Sequence, residues 1–241
     1  ATAAPLIASG AAATVCGIAL ALLARPLFRQ DGSAFASRFQ CAFRFNSYIG
    51  LAVLGKLHGA AGIATMGLLI GAMVPLVNLA SVWMLARQGN LGVGREMARN
   101  PLVLASLAGF AFSTSGLTLP DFASHFLGRL GDAAVALGLL AVGAALRLRG
   151  PTGSPLGSCY LLAVKLIAVP AAALLVALSL GLGRVHLDAA VLFAALPTAT
   201  SAYILTQRMG GDGAGVAWLV SANTLAAMAT LPVWLSIVLR Y

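Results

Sequence analysis

The sequence predicts an all-α integral membrane protein, and three observations carry that prediction: its composition, the recurrence of long apolar runs, and the sidedness of its arginines. Of 241 residues, 60% are hydrophobic and 9% are charged, whereas a soluble domain carries about a quarter charged residues. No polar surface can be assembled from this chain to cover a globule. A spanning helix needs roughly 20 mostly apolar residues, and such runs recur throughout. The formal net charge of +9 does not indicate nucleic acid as a partner, because the arginines lie between apolar runs rather than along one face. Cys16, Cys41 and Cys159 show no metal or disulfide spacing and read as small apolar packing residues. Neither a cofactor nor a metal is expected.

Taken in order, the segments able to span are 3–24, 43–58, 60–86, 101–118, 122–146, 157–182, 188–207 and 213–239, eight in all. The first holds no charge and no basic leader, so it reads as a spanning helix rather than a secretory signal, and it leaves room for a missing predecessor. The second is short and interrupted by Asn46, Gly50, Gly55 and Lys56. The seventh carries Pro197 followed by the polar run Thr198 to Ser201. Broken helices at corresponding places in two halves point to a transporter's binding site.

If the eight segments alternate, Arg25, Arg29, Arg38, Arg44, Arg87, Arg95, Arg99, Arg147, Arg149 and Arg208 fall in loops on one side, against Lys56, Arg129, Arg184 and Arg240 on the other. Cytoplasmic loops are enriched in Lys and Arg. The arginine-rich side is therefore expected in the cytoplasm, with Ala1 and Tyr241 facing outward from a cell inner membrane. The second and third segments echo the seventh and eighth, whose endings are similar (VPLVNLASVWMLAR and TLPVWLSIVLR). Five spans separate the two starts, so the pairs run in opposite directions, as inverted repeats require.

Four motifs together resemble the auxin efflux carrier family, which includes plant PIN-type carriers and bacterial organic-acid (malonate-type) carriers. Asn46 to Ala52 is similar to the Asn-x-x-x-Gly-x-Pro of the first crossing helix, with Ala52 in the proline place. Asn100-Pro101-Leu-Val opens a central helix closing at Leu119-Pro120. Leu196-Pro197 through Leu205, followed by Met209 to Asp212, resembles the second crossing helix, and Asn223-Thr224 through Leu231-Pro232 the last helix. The resemblance implies an inverted-repeat fold with two crossing broken helices, like sodium/proton antiporters and bile-acid symporters. It also implies that this chain begins at the family's third helix, one hairpin short. Residues 1–87 would then hold first-repeat helices, 88–100 a cytoplasmic loop, 101–147 support helices, 148–156 a second cytoplasmic loop, and 157–241 the second repeat, with its crossing helix near 188–207.

The polar residues inside apolar segments are the candidates for chemistry. Asn46 can donate its amide to a carboxylate or simply cap a helix; the resemblance places it at the substrate site. Pro197 frees a backbone carbonyl one turn earlier, and Thr200 and Ser201, with Thr198, can line the resulting cavity or merely satisfy a kink. Gly50 would let two helices cross closely. Lys165 is expected to be the one full positive charge deep in a segment, where ionisable groups are costly and usually functional. Asn78 and Asn223 are substrate contacts or interhelical glue. Asp132 is a proton-coupling candidate if burial raises its pKa, or else an interfacial partner of Arg129. His58, His125 and His186 sit at predicted outer ends without clustering. The expected function is a secondary carrier of a small organic anion, working by alternating access, with the bilayer and a homodimer mate as partners. The competing classes are a truncated, non-transporting paralogue that only dimerises, and an enzyme. For the enzyme, Ser113, Ser115 and His125 lack both a Gly-x-Ser-x-Gly motif and the required hydrogen-bond reach.

Overall fold

The computed structural model describes residues 3–29, 31–89, 92–144 and 154–241, and every regular element among them is helical. Four of these helical stretches are long and apolar enough to cross a membrane: Ala3–Phe28, Gly32–Gln88, Pro155–Ser179 and Gly213–Val238. The protein is a multi-pass membrane protein.

The first helix, α1 (Ala3–Phe28), buries one stripe of mostly small residues, Ser9, Gly10, Ala13, Thr14, Gly17, Ala21 and Ala24. Their spacing of three and four places them on one face, and their size lets neighbouring backbones come close. Gly17 is the tightest point towards the second helix, since a Cβ there would lie 3.0 Å from the Ala42 carbonyl oxygen and 3.1 Å from a Val169 methyl. Two hydrogen bonds fix α1 laterally: Ser9 Oγ donates to the Ala173 carbonyl at 3.1 Å, and Tyr160 Oη to the Leu20 carbonyl at 2.9 Å.

By sequence alone the stretch from Arg25 to Arg44 reads as a loop, and the structure corrects this. Asp31 caps a helix, α2 (Gly32–Phe39), by accepting from the Ser33 and Ala34 amides, and a 3-10 turn continues it through Gln40–Ala42. Phe35, Phe39 and Phe43 recur every four residues and pack in sequence, the first pair tilted and the second edge-on, with ring centroids 5.8 and 4.9 Å apart. That aromatic face buries the segment, and Arg38 is accommodated by Asp212, whose carboxylate accepts from Nε at 2.9 Å. After a break at residues 43–46 the chain resumes as α3 (Ser47–Gln88), so the interrupted helix has two halves, 32–42 and 47–58.

At Gly59 (φ 58°, ψ −139°) α3 folds back on itself. Residues eight apart in a straight helix are about 12 Å apart along the axis, yet a Cβ on Gly55 would lie 3.0 Å from Ile63 Cγ1. A Cβ on Gly62 would overlap the Leu54 carbonyl oxygen. The positive φ selects glycine at 59, and the separate segments 43–58 and 60–86 are the two arms of this turn.

The next helices are α4 (Val93–Arg99), α5 (Pro101–Thr114) and α6 (Asp121–Ala144), and α5 and α6 both pack on α3. They leave Leu107, Phe110, Phe126 and Leu130 exposed, a surface suited to lipid. Then α7 (Pro155–Ala163) passes through a π-helical turn, Val164–Ala168, into α8 (Val169–Ser179). Trp234 Nε1 donates to the Leu166 carbonyl within that turn at 2.8 Å. The centre of the molecule is α9 (Arg184–Ala195), in which every residue from Leu187 to Ala195 is buried among α1, α3, α8 and α11. Pro197 stops it, because a residue before proline is pushed out of the helical region and Leu196 is extended (ψ 140°). The chain re-enters helix as α10 (Ser201–Arg208) and ends with α11 (Gly213–Val238), capped by Asp212 on the Gly215 amide.

Candidate functional site

The two interruptions, residues 43–46 and 196–200, lie against each other. The Asn46 backbone N–H donates to the Pro197 carbonyl at 2.9 Å, and the Thr198 hydroxyl donates to the Cys41 carbonyl at 2.7 Å. Gln40 Nε2 reaches Thr206 Oγ1 at 2.9 Å, and Arg44 Nη2 reaches Ser201 Oγ at 3.0 Å. Gly50 makes the approach possible, because a Cβ there would sit 2.8 Å from Leu196 Cδ1. Backbone left unpaired within a membrane is tolerated only when buried in protein or lining a cavity, and each break here supplies partners for the other.

Beside the junction lies a cavity of about 700 Å³. Its polar wall is Arg44, Asn46, Ser47, Thr200 and Ser201, and Asn78 joins from the far arm of α3. Val74, Val77 and Ile204 contribute apolar wall, and Leu137 of α6 closes part of it. The wall thus includes the first residues of two helices, α3 at Ser47 and α10 at Ser201. Helix N-termini carry partial positive charge and favour anions.

Two side chains in this wall hold unused donors. Arg44 is 4% exposed and is buried at the break rather than free in a loop. Ser201 takes one guanidinium nitrogen, while Nε and Nη1 are buried without a protein partner. Asn46 serves the capping purpose and leaves its amide donor unused. Its Oδ1 caps α3 by accepting from the Tyr48 and Ile49 amides at 3.1 and 3.3 Å, and its Nδ2 is buried with no protein partner. Among the described residues lining the cavity, Arg44 alone is charged.

Of the residues named from sequence, Asn46, Asn78, Thr200 and Ser201 meet at this cavity. Pro197 and Gly50 build the junction behind it. Lys165 does not line the cavity: it is 1% exposed and its ammonium donates to the Ala194 carbonyl at 2.9 Å. Its N–H donor thereby meets the negative, C-terminal end of α9. Nor is it the one buried cation, since Arg38 and Arg44 are buried as well. Asn223 points elsewhere, its Nδ2 donating to the Leu219 carbonyl at 3.1 Å within α11. Asp132 falls within α6, but its side chain lies outside the described residues, as do Arg147 and Arg149.

Sequence reasoning missed Arg44 as a site residue because it ended a run of arginines that reads as a cytoplasmic loop. The spacing of Phe35, Phe39 and Phe43 was the signal that residues 32–43 form a buried helix instead. Also missed was Asp188, which takes His58 Nε2 at 2.7 Å and Arg184 Nε at 3.2 Å. Among the described residues no group of three His, Cys, Asp or Glu side chains is arranged to hold a metal ion.

Comparison with known proteins places these features in a family context. The family model described as "Membrane transport protein" matches residues 85–235, which include the second break but not the first. A protein of Rhizobium meliloti (strain 1021) named "Putative malonate transporter" is 31% identical over 145 residues, 58% of this chain. The match spans 44% of that relative's length.

Proposed function

Because the chain belongs to the membrane transport protein family, the auxin efflux carrier-like proteins its motifs resemble, we propose that it is a secondary transporter of a small organic anion, with the cavity at the two helix breaks as its substrate site. The observation that carries this reading is the pair of unused donors, Arg44 and Asn46, buried in the wall of one cavity. A carboxylate leaving water must find replacement donors or lose several kcal/mol per unsatisfied group. Here one oxygen would take a free N–H of the Arg44 guanidinium, at Nε or Nη1, in a charge-assisted hydrogen bond, and the other the Asn46 amide. The apolar wall of Val74, Val77 and Ile204 would hold a short carbon chain.

The chemistry fits a family relative whose name specifies malonate, a small carboxylate. Substrate passage would follow alternating access, with the interrupted helices moving against the support formed by α5 and α6 and the two repeats related by inversion. Arg38 and Arg44 are buried, and the asymmetry that remains, eight arginines against Lys56, Arg129, Arg184 and Arg240, supports a cell inner membrane location with both ends of this chain outward. The π-helical turn carrying Lys165 would act on the site indirectly, by setting the field at the end of α9.

Uptake into proteoliposomes tests the proposal, comparing monocarboxylates and dicarboxylates with neutral amides of equal size. Carboxylate uptake that falls at least tenfold in Arg44→Gln, with the protein still monodisperse, is the expected result. Equal uptake of the neutral analogues, or wild-type carboxylate uptake in Arg44→Gln, would remove the anion assignment. Binding without any flux would favour a non-transporting paralogue.

A further inference from the structure

We propose that His58 and Asp188 form a proton-binding site, about 18 Å from the cavity, that ties the two interrupted helices together when protonated. It builds on the carrier reading, but its test below does not depend on knowing the substrate. His58 is the last residue before the Gly59 turn, and Asp188 lies in the second turn of α9. Each sits on a half-helix whose other end reaches the junction. The twelve residues from Ser47 to His58 correspond to about 18 Å at 1.5 Å per residue. Both positions lie at ends that the charge asymmetry assigns to the outside.

The geometry is that of a group built to take a proton. Asp188 is 4% exposed, and its Oδ2 holds both His58 and Arg184 while its Oδ1 is buried without a protein partner. The His58 side chain is 20% exposed, so water reaches it. An ionised carboxylate only accepts hydrogen bonds. Neutral His58 therefore keeps its proton on Nε2, shared with Asp188, and the incoming proton adds to Nδ1. No other bond breaks, and the proton comes from water and returns to water.

The charged and titratable surroundings come from every helix packed on α9. Its own residues Arg184 and His186 are close in sequence, and α3 carries Lys56 two residues before His58. The end of α11 offers the Val238 carbonyl, which holds Arg184 Nη1 at 3.3 Å, with Arg240 two residues further on. Towards α9, α1 offers Cys16 and Arg25, α8 has no titratable side chain, and the π-helical turn holds Lys165 at Ala194, the opposite end of α9. Arg184 already balances Asp188, so a neutral His58 leaves the cluster uncharged and a protonated one makes it cationic. Protonation turns a hydrogen bond from a neutral imidazole to the Asp188 carboxylate into an ion pair between two helices, adding a Coulombic attraction that the neutral ring lacks. The outer ends are then drawn together.

The test places a single cysteine in the cavity wall, Ala199→Cys, in a protein whose three native cysteines are replaced by alanine. Alkylation by a membrane-impermeant reagent from the outer face is followed from pH 8 to pH 5.5. The rate is divided at each pH by that of the same protein carrying His58→Gln, which cancels the titration of the thiol itself. The ratio should fall about fivefold to tenfold across this range, equivalent to a coupling near one pKa unit. Asp188→Asn should remove the fall in the same way and serves as the reference if His58→Gln does not fold. A ratio that stays constant overturns the proton site. Loss of all carboxylate uptake with an intact pH-dependent ratio would instead count against the carrier reading alone.

Discussion

The backbone N–H of Asn46 donates to the carbonyl oxygen of Pro197 at 2.9 Å, so each helix break is closed in part by the other. The reciprocal contact runs from the Thr198 hydroxyl to the Cys41 carbonyl. Two defects that would each be costly in a membrane become one shared structure.

Thr198 is fully buried, so its removal exposes the value of that sharing. Thr198→Val should lower stability by about 1–3 kcal/mol, the usual cost of stranding a buried polar group, while Thr198→Ser should recover most of it. Thermal unfolding in detergent reads both. Equal stability of the valine and serine variants would mean that the hydroxyl is dispensable.

Arg44 presents the opposite sign. A buried guanidinium with two nitrogens unused weakens the fold in the absence of ligand, so Arg44→Met should raise stability by on the order of 1 kcal/mol and abolish carboxylate binding. A methionine variant that melts earlier than wild type would show the arginine to be structural.

The two halves of the Asn46 amide are separable. Asn46→Asp retains the cap acceptor and should stay within about 1 kcal/mol of wild type, while replacing the donor with a negative charge that repels an anion. Asn46→Ala loses the cap, at about 1 kcal/mol. Carboxylate affinity should fall more in the aspartate variant than in the alanine variant; the reverse order would remove the side-chain amide from the site.

Gly62 meets backbone, which cannot rotate away as a side chain can. Gly62→Ala should therefore cost about 1–3 kcal/mol, with Gly67→Ala, where nothing lies within 4 Å of the added carbon, near neutral. A tolerant position 62 would contradict the tight turn.

For orientation, a lone cysteine at Arg95 should resist an impermeant thiol reagent added outside and react once the membrane is opened. Ready labelling from outside would invert the assignment.

Composition and apolar length made the helical membrane class legible, and Pro197 and Asn46 marked both breaks. What failed was the reading of polar sequence as loop. Residues 32–42 contain Ser33, Ser37, Arg38 and Gln40, and no hydropathy average distinguishes such a stretch from a cytoplasmic connection. Its burial depends on Asp212 and Thr206, about 170 residues away, which neutralise Arg38 and pair with Gln40. Lys165 was recognised as buried, but sequence depth cannot say which way a side chain turns, and the π-helical turn directs it to Ala194. Asp188 went unnoticed because its partner His58 is 130 residues earlier.

The Gly59 turn has a mechanical meaning. It joins the arms of α3 without any slack, so residues 47–58 cannot tilt independently of residues 60–88. The longer arm carries Val74, Val77 and Asn78 to the cavity wall, while the shorter one carries His58 to Asp188. A small displacement near His58 would therefore reach the cavity through both arms of α3, the longer passing Pro75 on the way to Val77 and Asn78, a bell-crank made of backbone.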